Sequence, residues 1–400
     1  MNTNISRRNF VKSGAVAVAG LGLAACGGNS GSGSSSSSSD TIKVGLMGPY
    51  TGDVAQYGLA CRYGAELYVK QVNDKGGING KQVELDTQDE KGDATEAVNV
   101  YNKLVEDGVV GIIGDVTSTP TIAVAQASVK DNMPCVTPSA TAADVISYGK
   151  NYFRACITDP YQGKLMADFA ADQGYKTVGV IYNQGGDYEQ GVADAFTEEA
   201  GKKGITVSDS EGYPAGATDF NSQLTNIIAT KPDAIFSPNY YQDDGKIVTQ
   251  ARKLGYAGVF MGADGWSNIV GGDEEYASAE DLEGCYYDCS FVAENEDEKV
   301  QDFIKAYKDE YNDTPSNFCA LGYDATMILL NAIETVEKDG KATYGSDDYK
   351  QAVVDAIASG TANGVTGDIS YSGTGDPVKS TLIITFKGGA QEVFKTIEGK

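Results

Sequence analysis

Three consecutive hydroxyl residues, Thr117 to Thr119, run into Pro120 in "GDVTSTPT", Gly114 to Thr121, between an apolar run, "GVVGIIG", and a helical segment, "PTIAVAQASVKD". Hydroxyls offer hydrogen bonds without a full charge that would be costly to bury. Thr119 and Pro120 read as the cap and first residue of a helix over Pro120 to Lys130. A helix start presents free N–H groups and partial positive charge, so this turn suits a carboxylate. A zwitterion also needs an anion for its ammonium, and Asp264 in "GADGWSN" supplies one. Each charge-assisted hydrogen bond in a closed cleft is worth about 1.5–3 kcal/mol. The same residues also fit plain structural work. Ser118 and Thr119 fit a capping turn, Asp264 a turn before Gly265, and Tyr240-Tyr241 a core pair.

Other chemistries are poorly served. The chain has no histidine, which removes Ser-His-Asp and Cys-His devices and histidine-ligated zinc. No nucleophile–base pair and no GxxxxGK[ST] phosphate loop is present, so an enzyme is not expected and no cofactor is implied. Cys61, Cys135, Cys156, Cys285, Cys289 and Cys319 show no CxxC spacing. Cys285 and Cys289 fall in one strand, about 13 Å apart and too far to bond. Buried free thiols are expected for most of the six. The net charge of −25 repels DNA, RNA and anionic headgroups, so no nucleic-acid partner is expected.

Four hundred residues suit two domains. From Thr41 the chain repeats strand, glycine-bearing turn and helix. "IKVGLM", "QVELDTQDE", "VVGIIG" and "PCVTP" are strands, and "DATEAVNVYNKLVEDG" is an amphipathic helix capped by Asp93. The series restarts at "TVGVIY" and continues through "TVSDSEGY", "DAIFSPN" and "VFMGAD". A hairpin is expected around Gly388-Gly389. This predicts an α/β fold of two doubly wound, Rossmann-like lobes with parallel sheets. Ligands of such sheets bind beyond the carboxyl ends of the strands. Those ends read "GPYTGDVAQYG", "GDVTSTPT", "TPSAT", "YNQGGDYE", "SPNYYQDD" and "GADGWSN".

Residues 1–25 read as a signal peptide, with a charged start and a short apolar run from Ala15 to Ala25. "SRRNFVK" looks like a twin-arginine motif and "LAAC" like a lipobox that would place a lipid on Cys26. The Gly/Ser tract over 26–40 is expected to be a tether reaching on the order of 20 Å.

The strand-end loops together resemble the periplasmic-binding-protein type I family, specifically the branched-chain amino-acid-binding proteins of ABC importers. The likeness covers most of residues 42–390 and rests on "TGDVAQYG", "NDKGGINGKQVEL", "GDVTSTPT", "TPSAT", "YYQDDGKIVTQARKLG" and "FMGADGWSN". It implies two lobes joined by a three-strand hinge, with 41–157 and 291–368 in lobe 1 and 158–290 and 369–400 in lobe 2.

The resemblance also implies a pocket. Ser118, flanked by Val116 and Thr117, would take a ligand carboxylate, and Thr141 would assist. The Ser139 carbonyl, beside Ala140, would accept from the ammonium that Asp264 pairs. Tyr188 and Tyr240 would line one lobe, Tyr57 and Phe318 the other, and Trp266 the ligand's side chain. Relatives carry Glu where this chain has Asp264, so the ammonium would sit nearer or a water would bridge. The implied function is a lipid-anchored, extracytoplasmic, monomeric protein that delivers an amino acid to an ABC permease. The alternatives are a sensing domain for a membrane receptor, or a binder of an amide, urea or aromatic acid.

Overall fold

Apolar strands alternate with helices along the chain, and the parallel pairing expected of that pattern forms twice. The computed structural model describes residues 41–270 and 276–399. The signal peptide expected over 1–25, the tether over 26–40 and the lipid site at Cys26 lie outside the described residues. No helix among the described residues is long and apolar enough to cross a membrane.

The first sheet holds β1 (Thr41–Gly48), β2 (Gln82–Asp89), β3 (Ile112–Ile113), β4 (Cys135–Thr137) and β5 (Tyr152–Arg154), all parallel in the order β2-β1-β3-β4-β5. β1 lies inside the sheet and reads as a nearly continuous apolar run. β2, at the edge, alternates. The second sheet repeats the order with β6 (Thr177–Asn183), β7 (Thr206–Tyr213), β8 (Ala234–Phe236), β9 (Val259–Met261) and β10 (Tyr286–Cys289). Next, β11 (Thr361–Gly364), β12 (Gly367–Tyr371) and β13 (Pro377–Val378) form a small antiparallel sheet. The chain then returns to the second sheet as a hairpin, β14 (Thr381–Lys387) and β15 (Ala390–Ile397), turning at Gly388-Gly389.

The chain therefore crosses between lobes three times: between β5 and the helix Asp159–Asp172, between β10 and the helix Glu298–Tyr311, and between β13 and β14. The third crossing falls at 379–380, later than the expected change at 368. β12 and β13 stay with the first lobe because Ile369 joins its core and Tyr371 bonds the Arg154 carbonyl. A buried network marks this region. The Lys379 ammonium donates to the Ala155 carbonyl at 2.8 Å and to Thr366 Oγ1 at 2.6 Å. Asp324 accepts from the N–H groups of Val365 and Thr366. Burial pulls the Lys379 pKa down to about 8.

Close helix packing sets the first lobe. The helices Ala55–Asp74 and Asn317–Asp339 meet at Gly64 and Gly322. A β-carbon at Gly64 would overlap the Cys319 carbonyl, and one at Gly322 the Cys61 carbonyl. Asp93 caps Ala94–Glu106, accepting from Thr95 and Glu96 N–H groups at 2.8 and 2.9 Å. The six described cysteines are free and buried.

One helix start differs from expectation. The helix runs Ser118–Ser128 with Thr117 as its cap, and Pro120 is its third residue. Thr121 closes the first turn by donating its N–H and its hydroxyl to the Thr117 carbonyl, at 3.1 and 2.7 Å. Proline is tolerated there because first-turn N–H groups have no intrahelical partner to lose.

Candidate functional site

Segments that follow six strand ends converge on one small cavity between the lobes. Tyr57, Val116, Thr117, Ser118, Ser139, Thr141 and Phe318 line it from the first lobe, and Tyr188, Tyr240, Asp264 and Gly265 from the second. No lysine or arginine is among them. An anion held here would have to rely on peptide N–H groups and hydroxyls.

The first-lobe wall is braced from behind. Ser139 Oγ donates to the Val116 carbonyl at 2.8 Å, and Thr137 Oγ1 accepts from the Ala140 N–H at 3.0 Å. Ser118 Oγ accepts from the Ala142 N–H at 3.2 Å, so its own proton remains available to donate. Tyr240 lines the same cavity, and burial pushes its phenol well above the ordinary tyrosine range.

The second-lobe wall carries the acid. Asp264 is 5% exposed, and burial lifts its pKa to about 7, against the opposing effect of Tyr188, Gln162 and the Gly265 N–H. The Asp264 N–H donates to Gln162 Oε1 at 3.0 Å, and the Gly265 N–H to the Tyr188 hydroxyl at 2.9 Å. Tyr188 and Tyr240 stack with rings 5.1 Å apart. Asp159 is buried nearby, where desolvation raises its pKa well above the usual carboxylate range.

The lobes are closed. Tyr57 Oη donates to the Gly265 carbonyl at 2.5 Å and accepts from the Tyr241 N–H at 3.1 Å. Thr119 Oγ1 donates to Asp187 at 2.7 Å, and the Tyr241 hydroxyl to the Asp53 carbonyl at 3.3 Å. The space enclosed is about 10 Å³, about that of one water. An amino acid enters only if the lobes part or the rings turn. Tyr57→Phe removes a bridging hydroxyl worth about 0.5–1.5 kcal/mol. Small-angle scattering of the ligand-free variant is expected to show a larger radius of gyration; an unchanged curve would deny Tyr57 its clasping role.

Ten of the twelve residues named for the pocket from the sequence line this cavity, and two do not. Trp266 is fully buried in a short turn, Asp264–Trp266. Its indole N–H donates to the Ser237 carbonyl at 2.8 Å and its ring packs on Tyr287. Ala140 is not among the lining residues; its carbonyl accepts from Arg154 Nη1 at 3.0 Å. Sequence reasoning missed Gln162 and Asp159. Both sit at the start of the helix that follows β5, where "TDPYQ" is a strand-end loop of the same kind as the others. Among the described residues no group of three or more His, Cys, Asp or Glu side chains is placed to hold a metal ion.

The family model described as periplasmic binding protein matches residues 41–390. A leucine-, isoleucine-, valine-, threonine- and alanine-binding protein of Pseudomonas aeruginosa is 32% identical, over 84% of this chain and 87% of its own. The leucine-binding protein LivK of Thermotoga maritima superposes with a TM-score of 0.79 at 30% identity, covering 89% of this chain and 99% of that one. LivJ of Streptococcus pneumoniae, a branched-chain amino acid transporter substrate-binding protein solved with isoleucine, gives 0.81 at 32% identity with the same coverage.

Proposed function

The chain belongs to the periplasmic binding protein family, whose members are extracytoplasmic solute-binding proteins and not enzymes, and on that premise we propose that it captures an α-amino acid with an aliphatic side chain between its lobes. Ser118 and Thr141 receive the carboxylate at the helix start, and Asp264 faces the ammonium from the other lobe. Tyr57, Phe318, Tyr188 and Tyr240 surround the side chain. The supporting observation is the pairing of an uncharged, donor-rich wall with one buried acid across a closing cleft. A lipid on Cys26 tethers the protein to the membrane, where it meets an ABC permease as a monomer.

The test is a thermal-shift and calorimetry panel on the full chain. L-leucine, L-isoleucine and L-valine are expected to raise the melting temperature, since a ligand at a hundred times its Kd stabilises by about 2.7 kcal/mol. Benzoate, urea and acetamide are expected to leave it unmoved. A shift from one of these three and none from the amino acids would overturn the reading.

A further inference from the structure

A second cavity, of about 600 Å³, lies between the lobes beside the second crossing. Tyr57 and Phe318 line the small cavity while their chain neighbours Gln56 and Cys319 line this one, and Ser267 follows Gly265 of the small cavity by two residues. The larger cavity has apolar walls from both lobes and the crossing: Leu59, Tyr63 and Tyr307 on one side, Tyr287 on the other, Phe291 between.

Two buried polar groups in this wall are not satisfied. Asn317 Oδ1 accepts from the Ser290 N–H at 3.1 Å, which fixes the amide's orientation and leaves Nδ2 with no partner among the described residues. Ser267, 2% exposed, has a hydroxyl in the same condition. Buried polar atoms are normally paired, so both have unused capacity. Among the described lining residues the charged ones are the exposed acids Glu294 and Asp313, with no lysine or arginine.

We propose that this cavity is a second ligand site, which takes a small amphipathic amine bearing a hydroxyl or carbonyl. Its apolar body lies on the tyrosine and phenylalanine rings, whose faces also attract a cation. Its ammonium is drawn to Glu294 and Asp313, and its oxygen engages Asn317 and Ser267. The site stands apart from the amino-acid reading, because it shares no lining residue with the Ser118–Asp264 cavity.

Tyramine is the probe, and 3-(4-hydroxyphenyl)propionate, with the same ring and a carboxylate, is its counterpart. Both are titrated by calorimetry into the full chain, Ala293→Trp, the double variant E294Q/D313N, and Asp264→Asn. Tyramine is expected to bind the parent and Asp264→Asn alike, and Ala293→Trp at least tenfold more weakly because the indole fills the cavity. Binding to the double variant is expected to weaken about threefold, the scale of lost exposed charge pairs. Its changes are exposed and preserve the fold whatever Ala293→Trp does. The propionate is expected to bind none of them. Absence of tyramine binding, equal binding of the propionate, or loss confined to Asp264→Asn would each overturn the site.

Discussion

Asp264→Asn is expected to bind L-leucine at least tenfold more weakly than the parent chain and, without ligand, to melt several degrees higher. Burial raises the Asp264 carboxyl from 3.8 to about 7. The folded chain therefore holds a proton that the unfolded chain releases between about pH 4 and 7. Stability is lost as pH rises through that window, and the full cost remains above it. A shift of this size corresponds to on the order of 4 kcal/mol at neutral pH. Asparagine keeps the shape, removes the charge and so relieves the cost. The ammonium then loses its buried counter-ion, and affinity falls. In the parent, leucine affinity should drop by up to about tenfold per pH unit below 7, as protonation competes with the ammonium. The variant should keep only the slope contributed by Asp159, Glu189 and Asp288, buried acids whose pKa values are also raised by desolvation. Scanning calorimetry and titration at pH 5.5, 6.5 and 7.5 measure both effects. Equal leucine affinity in the two proteins would remove Asp264 from the site.

Gly64→Val is expected to destabilise the protein by more than about 3 kcal/mol, at the upper end of overpacking costs. The added atoms would meet the Cys319 carbonyl and the Tyr323 N–H, which are backbone groups fixed in a helix. Separating the helices would also displace Tyr57 and Phe318, which they carry and whose rings stack 4.1 Å apart. Leucine binding should weaken together with stability. Gly201→Ala is the control, since open space surrounds that helical position and alanine is the better helix former by up to about 1 kcal/mol. Urea unfolding that ranks Gly64→Val within about 1 kcal/mol of the parent, the range of an ordinary tolerated substitution, would show that the two helices can move apart freely.

The sequence made the layered architecture readable because β1, β3, β6 and β8 are apolar runs and the helices that follow strands are punctuated by Asp, Gly or Pro, whereas β5 and β10 carry the buried charged residues Arg154 and Asp288. Strand ends located the site on the same basis: a hydroxyl-rich turn directly after an apolar run gathers donors at the rim of a sheet, where such folds hold their ligands. What stayed hidden depends on rotation and on distance along the chain. Trp266 is two residues from Asp264, yet the short turn aims its indole at Ser237. Gln162 meets the Asp264 N–H across 102 residues, and no local pattern announces such a contact. The start at Thr117 was displaced because Thr119-Pro120 satisfies the usual preferences for cap and first turn equally well. The closure seen here, with the Tyr57 hydroxyl bonded to Gly265 and Tyr241 across the cleft, follows from side-chain volumes that a pattern of types does not specify.

Lys379 stands on one interlobe passage and reaches the carbonyl of Ala155 on another, while Thr366 of the small sheet holds the same ammonium. One ammonium thus yokes two of the three passages, and they must twist as a pair when the jaws swing. The compliance of the pivot is left to the remaining stretch, 290–297, the wrist on which capture and release of cargo turn.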